Sequence, residues 1–276
     1  MSQKRVPAIF MRGGSSKGVF FHSSDLPEDK NSWDELFLSV LGSPDPYGRQ
    51  LNGMGGGISS LSKAVVISPP TRLDADVDYT FAQISVKDTV VDYSSNCGNL
   101  SSAVGPFAID TGLVEASGIK KEVRIHNTNS GKLIVSKVPL RDGLSEVVGD
   151  FSIPGVSGTG AKVQLDFLDP GGTRTGSLLP TGNTVDIITL PNASDFEVSL
   201  VDASVPCAFI EAKALGVTGS ESIEELESNN SLMKLVEEIR LAAGVKMGLG
   251  ETIDQIPPTA PKLGIVAEPL AYKTLA

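Results

Sequence analysis

Apolar residues in this chain fall mostly into short runs separated by glycine, proline and small polar residues. VPAIFM (6–11), KGVFF (17–21), KAVVIS (63–68), YTFAQISV (79–86) and TVVDY (89–93) occupy the first third. EVRIHNT (122–128), KLIVSKV (132–138), KVQLDFL (162–168), TVDIITL (184–190), EVSLV (197–201), CAFIEA (207–212) and LGIVA (263–267) continue the pattern. Their Val, Ile and Phe content and their turn-rich borders predict strands. Helical spacing is rarer. DKNSWDELFLSVLG (29–42) predicts one helix, the run from about Asn99 a second, and residues 220–244 one or two more. In the last of these, Leu232, Leu235, Val236, Ile239 and Ala243 share one helical face, which is read as core. An α+β fold follows, with a few helices covering curved sheets.

The order of elements carries a weak internal repeat. An offset of 190 sets AIFMRGGSSKGVFF (8–21) against VSLVDASVPCAFIE (198–211), two strands around a small-residue loop in each case. An offset of 200 sets SKAVVISPP (62–70) against KLGIVAEPL (262–270). The expectation is two similar lobes, about 1–115 and 116–276. The first copy runs on through further strands to Cys97 and its helix, whereas the second stops at Ala276 before any counterpart, so the chain is expected to be truncated or its second lobe incomplete.

A formal charge of −10, with basic residues scattered rather than clustered, argues against a general nucleic-acid role. The acidic run ESIEELES reads as a solvated helix face. No stretch is apolar enough for a membrane helix, and MSQKRVPAIFMRGG lacks the apolar core of a signal peptide. Two cysteines in unlike contexts do not make a disulfide framework, so a reducing, cytoplasmic setting is expected.

One of those cysteines lies in SSNCGN (94–99), directly before a predicted helix. A thiol there meets unpaired N–H groups and the positive end of the helix dipole, which favour thiolate; a buried apolar filler is the other reading. Neither MRGGSSKG (11–18) nor NGMGGG (52–57) has the spacing of a nucleotide-binding loop. Glycines there still let backbone N–H groups approach a ligand, and the hydroxyls of Ser15 and Ser16 suit carboxylate oxygens; taken without context, the loop reads first as a tight hairpin with solvent-facing serines. Lys63, entering an apolar strand behind a glycine loop, is either a snorkelling surface residue or, desolvated, a usable base.

Taken in order, MRGGSSKG, NGMGGGISSLSK, SNCGNLSSAVGPFAIDTGLV and GTRTGSLLPTGN resemble the PrpF family. That family contains the 2-methylaconitate, methylitaconate and 4-oxalomesaconate isomerases and is related in fold to diaminopimelate epimerase. The cysteine segment with the lysine 34 positions before it is the specific part. The resemblance implies two similar lobes, each a helix wrapped by a mostly antiparallel sheet, with a site between them. It implies cofactor-free allylic proton shifts or cis–trans isomerisation on small unsaturated di- and tricarboxylates. Matched by motif, Lys63 and Cys97 are the catalytic pair, Ser15 and Ser16 contact substrate carboxylate, and Asn96, Gly98 and Asn99 flank the thiol. Asn52 and Gly55 to Gly57 should line the same cleft. A small acid is the expected partner, with no nucleic acid and no membrane, and a homo-oligomer is compatible with the resemblance.

Such chemistry gives these residue types a reason. Moving a double bond beside a carboxylate needs a base and an acid across the substrate, with donors for the dienolate formed between. Racemisation with two facing thiols is a rival, but Cys207, in SVPCAFI, lacks the Cys-Gly-Asn setting, which favours the isomerase. A catalytically silent relative that binds a small carboxylate or a partner enzyme stays open, because AYKTLA does not supply the segment that completes the second lobe of full-length relatives. His22 and His126 have no neighbours at ligand spacing, and no metal site is expected.

Overall fold

In this computed structural model residues 4–271 are described, and the chain divides between Asp169 and Pro170 into two compact units. The first begins with a hairpin of β1 (Ile9–Gly13) and β2 (Ser16–His22). Helix α1 (Trp33–Leu41) then leads to β3 (Lys63–Ser68), which lies parallel to β2. Strand β4 (Val77–Ile84) returns antiparallel on β3 and carries the two-residue β5 (Val91–Asp92) at its end. After helix α2 (Gly98–Asp110), β6 (Lys120–Asn127) joins β4 in parallel and β7 (Lys132–Arg141) pairs antiparallel with β6. Strands β8 (Leu144–Ser145) and β9 (Gln164–Phe167) both pair with β7.

Strands β2, β3 and β4 are apolar on both faces, and alternation decides which residue goes where. Phe20, Val65, Ile67, Tyr79 and Phe81 face α2, meeting Leu100, Val104, Phe107 and Ala108. Val19, Phe21, Ala64, Val66, Ala82 and Ile84 face the other way, onto Trp33, Phe37 and Leu41 of α1. Each of the larger aliphatic and aromatic side chains, fully withdrawn from water, contributes roughly 1.5–3 kcal/mol. Helix α2 touches β1 and β2 near one end of the strand order and β7, β8 and β9 near the other, so the sheet curls around it. Pro106 removes one N–H from this helix, but Gly105 beside it permits close packing: a Cβ there would lie 2.5 Å from Ser136 Oγ on β7.

The second unit has a sheet of β10 (Asp186–Thr189), β11 (Asp195–Ala203), β12 (Val205–Glu211) and β13 (Lys262–Val266), in that order. Helix α3 (Ile223–Ser228) starts with a capping box between Ser222 and Glu225. Helix α4 (Asn230–Lys246) lays Leu232, Ile239 and Ala243 against Ile188, Leu200, Ala208 and Ile210, the face its periodicity marks. The antiparallel pair β11–β12, a helical crossover and a parallel β13 repeat the order of β1–β2, α1 and β3. A counterpart of α2 is not among the described residues of this unit.

The structure departs from two expectations and adds one short strand. The units divide at 169/170 rather than near 115, because β6, β7 and β9 extend the first sheet through β4. The TVVDY run yields only the two residues of β5, and the short β8 has no apolar run to announce it.

Candidate active site at the start of helix α2

Cys97 is the N-cap of α2, in extended conformation, and its sulfur accepts from the Leu100 N–H at 3.5 Å. The Ser101 hydroxyl lies 2.9 Å from the Cys97 carbonyl oxygen and 3.3 Å from Asn96 Oδ1, tying the turn together. Ser16 Oγ, buried, stands 3.9 Å from the sulfur. Asn99 Nδ2 donates to Ser15 Oγ at 3.2 Å. Both serines of the hairpin loop are thus held against the helix start.

The paired glycines before them are required by this approach. A Cβ on Gly13 would lie 2.6 Å from the Asn99 carbonyl oxygen and 2.9 Å from Leu100 Cα. Gly14 has φ +54°, and a Cβ there would lie 2.5 Å from Asn99 Oδ1. Gly18 performs the same service on its other side. Its Cβ would come within 3.0 Å of Leu100 Cδ2 and 3.2 Å of Lys63 Cβ, so Lys63 and the first turn of α2 meet across this one residue.

Lys63 is no snorkelling surface residue: it is 6% exposed. Its Nζ donates to Gln83 Oε1 at 2.5 Å and lies 4.9 Å from the centre of the Phe81 ring. Tyr79, wholly buried in the core against which Cys97 packs, has a hydroxyl without a hydrogen-bond partner. Burial, and to a lesser degree the neighbouring Cys97, push that hydroxyl well above its ordinary pKa.

Ser15, Ser16, Asn96, Cys97, Gly98 and Asn99 are therefore brought together at the start of α2, and Lys63 lies beside Gly18, whose other neighbour is Leu100 of that helix. The second glycine stretch is less direct. Gly57 N–H donates to Gln50 Oε1 at 2.9 Å, and Gln50 Nε2 donates to Ser62 Oγ at 2.7 Å, next to Lys63. Asn52 is exposed and lines a separate hollow with Asp45, Tyr47, Arg49 and Leu51, and the Gly56 N–H donates to the Leu61 carbonyl at 3.2 Å. Gln83 and Tyr79 carry no motif; their place at the site comes from strand register.

Cys207 sits on β12 opposite Lys262, half-buried, and burial pushes its thiol up. His22 packs its ring on Phe107. His126 does have an acidic neighbour, contrary to the sequence reading: its Nδ1 lies 2.9 Å from buried Asp78, brought beside it by β4–β6 pairing at the other end of the β3–β4 ladder. In the second unit, buried Asp202 accepts from the backbone N–H groups of Arg174 and Thr175 and the hydroxyls of Thr173 and Thr175, fixing the GTRTG loop. Among the described residues no group of three or more His, Cys, Asp or Glu is placed to hold a metal, and no helix is long and apolar enough to cross a membrane.

The solved structure of a probable proline racemase from Agrobacterium radiobacter K84 superposes with a TM-score of 0.51 at 14% identity, covering 84% of this chain and 60% of that one, a likeness of fold. The chain belongs to the PrpF family, whose model, described as PrpF protein, matches residues 3–276. It is 44% identical over 273 residues to a 3-methylitaconate isomerase of Eubacterium barkeri, covering 98% of this chain and 71% of that protein. A 4-oxalomesaconate tautomerase of Pseudomonas putida is 43% identical over 269 residues, with 98% and 72% covered. The crystal structure of a methylitaconate-delta-isomerase matches with a TM-score of 0.74 and 45% identity, over 94% of this chain and 66% of that one. The chain thus spans about seven-tenths of the length of these curated relatives and just under two thirds of that solved chain.

Proposed function

We propose that this chain is a cofactor-independent isomerase that moves a proton, and with it a double bond, along a small unsaturated di- or tricarboxylate. The observation that supports the reading is the N-cap thiol of Cys97 with two serine hydroxyls beside the helix start, and buried Lys63 next to Gly18, a residue whose added carbon would touch both Lys63 and Leu100 of α2. Relatives named for methylitaconate, 2-methylaconitate and 4-oxalomesaconate support the substrate class.

The chemistry follows from the groups present. Taking a proton from the carbon next to an unsaturated carboxylate leaves a dienolate, whose charge gathers on carboxylate oxygen. Ser15 and Ser16 supply O–H donors, and Gly98 and Asn99, in the first turn of α2, supply N–H groups that have no intrahelical acceptor. One of Lys63 and Cys97 removes the proton and the other returns one at the far end of the allylic system. Glycine at positions 13, 14 and 18 keeps donors and proton carriers close enough to share one small substrate.

The test is incubation with cis-aconitate, or a methylated or methylene analogue, in deuterium oxide. An isomerase changes the ultraviolet absorbance and leaves deuterium at an allylic carbon. Tight binding of these acids by calorimetry with no absorbance change and no exchange would instead identify a silent carboxylate-binding relative.

A further inference from the structure

The register of β3 and β4 sets Lys63 directly opposite Gln83. Side chains so opposed stand on one face with Cβ atoms about 4.5–5.5 Å apart, so the two are obliged to meet. Gln83 is itself held by two backbone acceptors. Its Nε2 donates to the Ser59 carbonyl at 3.0 Å and to the Ser62 carbonyl at 2.9 Å. Carbonyl oxygens only accept, so both contacts demand the NH2 end and the amide cannot turn over. Its oxygen is thereby committed to the opposite direction, where Lys63 Nζ donates to it. Phe81, two residues back on the same face, places its ring against the same nitrogen.

We propose that Gln83 is the positioning residue for Lys63, fixing where Nζ points and balancing its charged and neutral forms. The proposal rests on the reading of Lys63 as one half of the proton-transfer pair. An amide oxygen suits the task because it accepts a hydrogen bond from an ammonium and from a neutral amine alike. The nitrogen therefore stays in place through both halves of a proton transfer. Burial favours the neutral amine, while the acceptor and the ring face favour the ammonium, so the two pulls oppose one another. A carboxylate here would hold the proton too firmly, and an apolar side chain would remove this acceptor.

The experiment reads Lys63 directly in the whole chain, as Gln83→Met and Gln83→Glu, with circular dichroism confirming that each is folded. Competitive acetylation followed by peptide mass spectrometry gives the pH at which Lys63 is half reactive. Relative to the unaltered chain, the midpoint should fall by about one unit in Gln83→Met and rise by about one unit in Gln83→Glu. In the isomerase assay Gln83→Met should lose about tenfold in kcat with KM within about threefold, and the pH–rate profile of Gln83→Glu should move to higher pH. Unmoved midpoints in both folded variants would overturn the positioning role. The labelling result decides this even if no carboxylate is turned over, an outcome that would sink the isomerase reading instead.

Discussion

Replacing Gly13 by alanine adds one methyl group at the place where the hairpin loop touches α2. The new carbon would lie 2.6 Å from the Asn99 carbonyl oxygen, about 0.8 Å inside the 3.4 Å at which ordinary contact begins, and 2.9 Å from Leu100 Cα. Both neighbours are backbone, so no side chain can swing away. Loop and helix must separate by most of that distance, carrying Ser15 and Ser16 away from Cys97 and Asn99. Gly→Ala would otherwise stabilise by about 0.4–1 kcal/mol through the unfolded chain, but overpacking of this kind costs roughly 1–3 kcal/mol, so the clash wins. A misplacement of about 1 Å between reacting groups can cost on the order of 10²-fold. Gly13→Ala is thus expected to melt a few degrees lower and to lose about 100-fold in kcat/KM, measured by absorbance change with an unsaturated tricarboxylate. A Gly13→Ala protein with unaltered kcat/KM would refute the claim that close backbone approach assembles this site.

Other consequences can be measured separately. Cys97→Ser and Lys63→Ala should each abolish most isomerisation and deuterium uptake, and the double variant should be little worse, because residues acting as a unit are not additive; exchange at the original rate in Cys97→Ser would return the cysteine to a packing role. Ser16→Ala should weaken tricarboxylate binding about three- to tenfold by calorimetry, the worth of about one hydrogen bond, and an unchanged Kd would make the loop merely a turn. At Asp202 burial opposes the charge, but its backbone and hydroxyl donors outweigh that and hold the carboxyl below the ordinary 3.8. Its contribution is complete above about pH 3.8 and fades as the pH falls through the lowered value. Asp202→Asn should therefore melt below the unaltered protein at neutral pH, with a gap that narrows in acid; a gap independent of pH would contradict the charge.

Particular elements show what the sequence could and could not reveal. KAVVIS and YTFAQISV read as strands because β-branched runs are bounded by loops, and α4 because its apolar residues recur every three or four positions. The repeat was legible as two hairpins, and the pairings of β1 to β3 and of β11 to β13 follow one order. The boundary near 115 failed because nothing local announces that β6 will pair with β4, a contact between Val77 and Ile125 that loop composition does not encode. The cysteine and lysine stood out by motif; in the structure Cys97 caps α2, and Lys63 lies buried beside Gly18, which Leu100 of that helix also flanks. Gln83 could not stand out, since a glutamine in a strand acquires meaning only once register puts it opposite a particular lysine. Asn52 and Gly56 carried a motif; Asn52 lines a separate hollow, and the Gly56 N–H donates to the Leu61 carbonyl.

Strands with two cores have a consequence for where reactivity can live. Along β2, β3 and β4 the interior positions face one helix or the other, so a polar group in mid-strand would displace packing on one side or be stranded there. Only the rim is open. Ser16 is the first residue of β2, Lys63 the first of β3, Gln83 the penultimate of β4, and Cys97 the residue before α2. All four occupy the margin of the wall, where strands begin or end and solvent can enter. Substitutions that redirect the reaction should accordingly be sought along that margin, and those that tune rigidity along the two interiors behind it.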